Sequence, residues 1–75
     1  MKWDYIFVQA RADLGLARVS VGAVDGDSAY SALLLTIATE SPLVPTDQWS
    51  ESDFNVLESI DDARNTYRAA VYPRS

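Results

Sequence analysis

Apolar residues outnumber polar ones in two segments of the first third of the chain. Residues 3–10 are rich in aromatic and β-branched types, and the same character continues over residues 16–24, which is typical of strands. The segment between them, residues 11–15, ends in a glycine, which suits a left-handed position in a short connection. The pattern therefore predicts an antiparallel hairpin over residues 3–24.

The spacing of apolar residues changes to a helical period in the rest of the chain. Asp27 or Ser28 can cap a helix that we expect over residues 28–40, and Pro42 stops it. A loop with two prolines, residues 41–49, precedes a second capping signal, so a second helix is predicted over residues 51–71. Its apolar positions at helical spacing are Val56, Leu57, Ile60, Ala63, Tyr67, Ala70 and Val71. A rival interpretation makes residues 67–72 a third strand.

These elements predict a single α+β domain over residues 1–75. The expected architecture is ββαα, an antiparallel hairpin packed against two helices. A two-stranded sheet is marginally stable alone, so it needs that helical cover.

The first strand of the predicted hairpin is apolar on both of its faces. Because side chains alternate along a strand, Trp3, Tyr5 and Phe7 share one face, while Ile6 and Val8 share the other. Two short helices do not cover both faces, so we expect Ile6 and Val8 in the core and the aromatic stripe at a self-association or partner surface. Three alternatives stay open: the helices straddle the hairpin, the aromatic face is the core, or the aromatic side chains stack on nucleic-acid bases.

Composition excludes several kinds of chemistry. The 75 residues contain no Cys and no His, which excludes disulfides, Cys- or His-ligated zinc, thiol nucleophiles and His-based triads. The three glycines are isolated, so there is no phosphate-binding loop, and Asp25–Asp27 lacks the later ligands of a calcium loop. We therefore expect no enzyme activity, no cofactor and no metal.

The net charge of −5 is unevenly distributed along the chain. Between Arg18 and Arg64 there are nine acids and no base. On the predicted second helix, Glu51, Glu58 and Asp62 would form an acidic stripe opposite the apolar one. Such a stripe either keeps the protein soluble or binds a basic partner. The predicted partner-binding acids are Asp47, Glu51, Glu58, Asp61 and Asp62.

By size, charge and lack of catalytic groups, the chain resembles the small acidic inhibitors encoded by mobile elements, such as phage anti-CRISPR proteins. The resemblance is one of composition and carries no residue assignments. It implies a non-enzymatic inhibitor that docks an acidic surface on a nucleic-acid-binding host protein, as a nucleic-acid mimic that does not itself bind nucleic acid. One alternative is a homo-oligomeric structural or assembly subunit, such as a homodimer formed through the aromatic stripe. The other is an acidic antitoxin or immunity protein.

The location follows from two absences in the sequence. No apolar run approaches the length of a membrane span, and residues after Lys2 do not resemble a signal peptide. We therefore expect no membrane partner and a cytoplasmic location, which is the host cytoplasm if a phage encodes the protein.

Overall fold

A computed structural model describes residues 1–40, 48–61 and 64–74 of the chain. These residues form a five-stranded antiparallel sheet with one α-helix packed on one of its faces. The strands are β1 (Lys2–Arg11), β2 (Leu16–Asp25), β3 (Ser50–Asp53), β4 (Val56–Ile60) and β5 (Thr66–Pro73), and the helix is α1 (Ala29–Glu40). A single 3-10 turn, Ala12–Leu14, connects β1 to β2. Across the sheet the order is β2-β1-β5-β4-β3.

The elements of the N-terminal half agree with the sequence-based prediction. β1 pairs with β2 along its whole length, from Lys2 opposite Asp25 to Arg11 opposite Leu16. Gly15 closes the connection with φ of 65°, the left-handed conformation that glycine adopts without strain. The hydroxyl of Ser28 caps α1 by accepting a hydrogen bond from the backbone N–H of Ser31 at 3.2 Å.

The predicted second helix over residues 51–71 is wrong, and with it the ββαα architecture. That segment forms β3, β4 and β5 instead, so the described residues contain one α-helix and five strands. The rival interpretation of residues 67–72 as a strand is confirmed, because β5 inserts between β1 and β4. Ala69, Ala70 and Val71 are all buried in this central strand. Consecutive buried residues hide the period of two that identifies a strand with one buried face.

The core lies between α1 and the sheet face that α1 covers. From the sheet it includes the three aromatic residues of β1 together with Tyr67 and Val71, and from the helix it includes Leu33 and Ile37. Trp49 packs against this cluster, with its ring centroid 6.3 Å from that of Phe7 and 5.9 Å from that of Tyr67. Burial of these large side chains is the main term that stabilises so short a chain.

Tyr5 links the sheet to the end of α1. Its hydroxyl donates to a carboxylate oxygen of Glu40 at 2.5 Å. On the neighbouring strand its ring covers Gly22, where a Cβ atom would lie 2.6 Å from the Tyr5 hydroxyl oxygen. The glycine therefore makes room for the ring.

None of the helical segments that the structure describes combines the length and the apolar character needed to cross a membrane.

Candidate interaction surface

The aromatic stripe predicted as a partner surface lies in the core. Trp3, Tyr5 and Phe7 expose only 6%, 6% and 0% of their surface, under α1. The indole N–H of Trp3 is also satisfied internally, by the carbonyl oxygen of Gly26 at 3.0 Å. Of the alternatives left open by the sequence, the one that places the aromatic face in the core is therefore the one observed.

The acidic helix stripe does not form, because its residues lie on strands. Glu51 lies on β3 and Glu58 lies on β4, and in the β3–β4 register Glu51 is opposite Leu57 while Glu58 is opposite Ser50. Neighbouring positions along a strand pair point to opposite faces, so these two carboxylates are on different sides of the sheet. Glu58 also forms an ion pair with Arg68, in which Oε1 of Glu58 lies 3.7 Å from Nε of Arg68. Asp47 and Asp62 lie outside the described residues.

Asp61 organises the turn between β4 and β5. Its carboxylate accepts hydrogen bonds from the backbone N–H and side-chain amide of Asn65, at 2.9 and 3.0 Å, and from the hydroxyl of Tyr67 at 2.9 Å. Arg64, within this turn, adopts a positive φ of 65°. Burial and the Asp61 carboxylate raise the pKa of Tyr67. These contacts give Asp61 a structural role.

On the sheet face opposite α1, which we call the open face, apolar side chains of β1 and β2 are exposed, and no described helix packs on it. On β1 and β2 it carries Ile6, Val8, Val19 and Val21, of which the sequence placed Ile6 and Val8 in the core. Ile6 is 40% exposed, Val19 60% and Val21 73%. Contiguous exposed apolar residues of this kind mark association surfaces in soluble proteins.

The charges of the side chains on the open face of β1, β2, β4 and β5 sum to zero. Three acids and three bases lie there, whereas the whole chain carries −5. They form three ion pairs, Lys2 with Asp25, Asp4 with Arg74 and Glu58 with Arg68. The hydrogen bond from the Arg74 guanidinium lowers the pKa of Asp4. Over these four strands the open face is therefore electrically neutral on a negatively charged molecule.

A shallow depression of about 480 Å³ lies within the open face. Ile6, Val21, Ala23 and Tyr72 line it together with the Asp4–Arg74 ion pair. Protein-binding patches combine apolar and polar side chains in this way.

The described residues offer no metal centre. No group of three or more Asp and Glu side chains among them is placed to hold a metal ion. Hydrogen bonding to Glu40, together with burial, raises the pKa of Tyr5 to about 12. Comparison of the chain with protein-family models, with curated proteins and with solved structures found no match.

Sequence reasoning misplaced the open face, although one signal was present in the sequence. Opposite Tyr5 and Phe7 on β2 lie Gly22 and Ser20, the small residues that a face needs in order to bury large rings. Opposite Ile6 lies Val21, and a pair of mid-sized side chains leaves no such space. Volume matching across the two strands therefore identifies the aromatic face as the core.

Proposed function

We propose that this protein is a non-enzymatic structural or assembly subunit that works as a homo-oligomer. Its association surface is the open face rather than the aromatic stripe. The observation that carries the proposal is the uncovered apolar area around Ile6, Val19 and Val21, which is exposed although the opposite face of the sheet is well packed. Burying such a surface is favourable in proportion to the apolar area removed from water.

Charge favours a second copy as the occupant of this face. Two molecules that each carry −5 repel one another unless they meet through a neutral region. The open face of β1, β2, β4 and β5 is such a region, because its three ion pairs are complete within one molecule. A partner with a basic docking surface would find no unpaired acid on these four strands.

The size of the open face sets the expected strength of the contact. β1 and β2 have 10 residues each and β5 has 8. At about 3.3 Å per residue and about 4.8 Å between strands, they present roughly 400 Å² per copy. Two such faces bury roughly 800 Å², which is below the range of stable complexes and typical of weak ones. We therefore expect reversible association at micromolar concentrations.

The test is a matched pair of lysine substitutions. Ile6 and Leu35 are similarly exposed, at 40% and 45%, but Ile6 lies on the open face and Leu35 lies on α1. Ile6→Lys should weaken the self-association seen by light scattering after size exclusion, and Leu35→Lys should leave it unchanged. Equal behaviour of the two variants, or a wild-type chain that stays monomeric at high micromolar concentration, would contradict the proposal.

A second candidate is the acidic inhibitor of a nucleic-acid-binding protein, and β3 is the feature that favours it. All four residues of β3 are exposed, and neither Glu51 nor Asp53 has an ion pair in the described part of the chain. Carboxylates along an exposed edge can bind a basic surface. The test is competition with duplex DNA for a basic DNA-binding protein: combining Glu51→Lys with Asp53→Lys should weaken binding and flatten its salt dependence. Unchanged binding would exclude this candidate.

A further inference from the structure

The two edges of the sheet are built differently. β3 is short, with 4 residues, carries Glu51 and Asp53, and has an irregular register between them. Short strands, charges and bulges are devices that keep an edge from pairing with another chain. β2, at the other edge, has 10 residues, no proline and a continuous register with β1. In the described sheet it has a neighbour on one side only.

The backbone groups that β2 turns outward can be assigned from the hydrogen bonds at its end. The Gly26 N–H donates to the Met1 carbonyl at 3.0 Å, which makes residues 1 and 26 a hydrogen-bonded pair. Such pairs alternate along an antiparallel ladder. In β2 the even-numbered residues therefore bond to β1, and the odd-numbered residues direct their N–H and C=O groups away from it. These outward residues are Ala17, Val19, Val21, Ala23 and Asp25.

An independent hydrogen bond supports this assignment. The Arg74 N–H donates to the Lys2 carbonyl at 3.0 Å, so the even-numbered residues of β1 bond to β5. Its odd-numbered residues must then bond to β2, as the Met1–Gly26 pair requires. The outward groups of β2 thus form an unused ladder edge.

We infer that β2 pairs in an antiparallel arrangement with β2 of a second copy, about a two-fold axis at Ser20. This inference deepens the proposed function and rests on it for the identity of the occupant. In this register Val19 lies opposite Val21 of the second copy and Ala17 opposite Ala23, so the outward residues bond to one another. Cross-strand pairs of β-branched residues stabilise a sheet. Arg18 lies opposite Gly22, so no like charges meet.

The geometry of the pairing explains why a second copy fits. A two-fold axis perpendicular to the sheet puts the same strand on both sides of the contact, so the edge is complementary to itself. Both helices then lie on one side of a ten-stranded sheet, and both open faces lie on the other. The two open faces become continuous at Val19 and Val21. The apolar area available for further association on that side of the ten-stranded sheet is therefore twice that of one copy.

Disulfide cross-linking tests the register directly, because the chain has no cysteine of its own. Across the axis, Ser20 and its copy form a non-hydrogen-bonded pair with Cα atoms about 4.5 Å apart, which a disulfide spans. Val21 and its copy are offset along the strands, at about 8 Å, which a disulfide does not span. Under mild oxidation Ser20→Cys should form a covalent dimer, and Val21→Cys should not. Cross-linking at Val21 alone, or at neither residue, would overturn the proposal.

A proline substitution provides a second measurement that does not depend on a disulfide. The Val19 N–H points outward, so Val19→Pro removes a donor that the monomer does not use, as edge strands tolerate. Two donors are lost per dimer, which should weaken edge pairing by about thirtyfold. The matched variant Val19→Thr keeps the donor and should retain the dimer. Circular dichroism confirms that each variant is folded, and equal dimerisation of the two would contradict the inference.

The failures of this inference and of the proposed function are distinguishable. Self-association that Ile6→Lys weakens, with no cross-link at Ser20, would overturn the edge pairing and leave the open-face contact standing. A Ser20 cross-link that still forms in the Ile6→Lys background would support the edge pairing by itself. If β2 instead accepts a strand of another protein, the purified chain stays monomeric and Ser20→Cys does not cross-link, which overturns the inference.

Discussion

Gly22→Ala is the substitution that most sharply tests how the core is built. A Cβ atom at this position would lie 2.6 Å from the hydroxyl oxygen of Tyr5, 2.7 Å from Cζ and 2.8 Å from Cε2. Ordinary contacts between such atoms are about 3.5 to 4.0 Å. The ring must therefore move by about 1 Å, and it is held by the 2.5 Å hydrogen bond from its hydroxyl to Glu40. Relief of the clash displaces that bond.

The expected loss of stability combines three terms. Overpacking a close-packed site costs about 1 to 3 kcal/mol. Loss of a hydrogen bond to a carboxylate costs about 1.5 to 3 kcal/mol. Alanine recovers about 0.5 to 1 kcal/mol relative to glycine in a strand, because glycine loses more conformational entropy on folding. We expect Gly22→Ala to lower the free energy of unfolding by about 2 to 4 kcal/mol.

Urea denaturation at a low, fixed protein concentration measures this change without a contribution from self-association. The matched control removes the obstacle: in a Tyr5→Leu background, Gly22→Ala should cost less than about 1 kcal/mol, because no ring remains to be displaced. Gly15 provides a second contrast. It has a φ of 65°, and a Cβ atom added there would meet no other atom within 4 Å, so its substitution costs only backbone strain. An equal loss from Gly22→Ala in both backgrounds would refute the steric explanation.

Three further predictions concern individual side-chain contacts. The pKa of Tyr5 is raised from 10.0 to about 12, so the stability that its phenol contributes is complete below pH 10 and is lost as the pH rises to 12, by about 1.4 kcal/mol per pH unit. The free energy of unfolding should therefore fall more steeply with pH over this range in the wild type than in Tyr5→Phe, and parallel slopes would contradict the assignment. Asp61→Ala should lower the free energy of unfolding by about 2 kcal/mol, because three donors from Asn65 and Tyr67 lose their acceptor. Asp53→Ala removes one exposed hydrogen bond from the Phe54 N–H and should cost less in the same urea titration. The double substitution Glu58→Arg with Arg68→Glu should leave the urea midpoint almost unchanged, because both side chains are half exposed. A large shift of the midpoint would show that the pair matters for the fold.

The N-terminal half of the fold follows from local sequence, and the C-terminal half does not. The hairpin and α1 are specified by neighbours in the chain: the aromatic and β-branched residues of the strands, Gly15 and the Ser28 cap. β5 depends instead on β1, where Tyr5 pairs with Val71 across 66 positions of sequence. No local pattern reports such a pairing, so the helical spacing of residues 56–71 was misleading.

The turn between β4 and β5 shows why that spacing failed. A helix over residues 51–71 would place Asp61 and Asn65 one turn apart on a polar side, which is an ordinary helical pattern. In the structure the same two residues close a turn, with the Asp61 N–H donating to the Asn65 carbonyl at 3.0 Å. Asp and Asn favour turns because their side chains bond to nearby backbone groups. Their presence inside the predicted helix was the local sign against it.

The acids between Arg18 and Arg64 do not form one charged stripe, because β3 and β4 form in place of the predicted second helix. That helix would concentrate charge on one stripe, but in the sheet Asp25 and Glu58 pair with bases that lie outside this interval, Lys2 and Arg68. Antiparallel pairing brings distant segments together, so a gap in the linear charge pattern need not produce a charged surface. The exposed acids of β3 remain at one edge, where charge discourages pairing, while β2, whose outward residues are apolar except for Asp25, remains at the other. Charge and apolar area thus favour association at the β2 edge of the sheet rather than at the β3 edge. Ser20→Cys on β2 and Ile6→Lys on the adjacent β1 test association there.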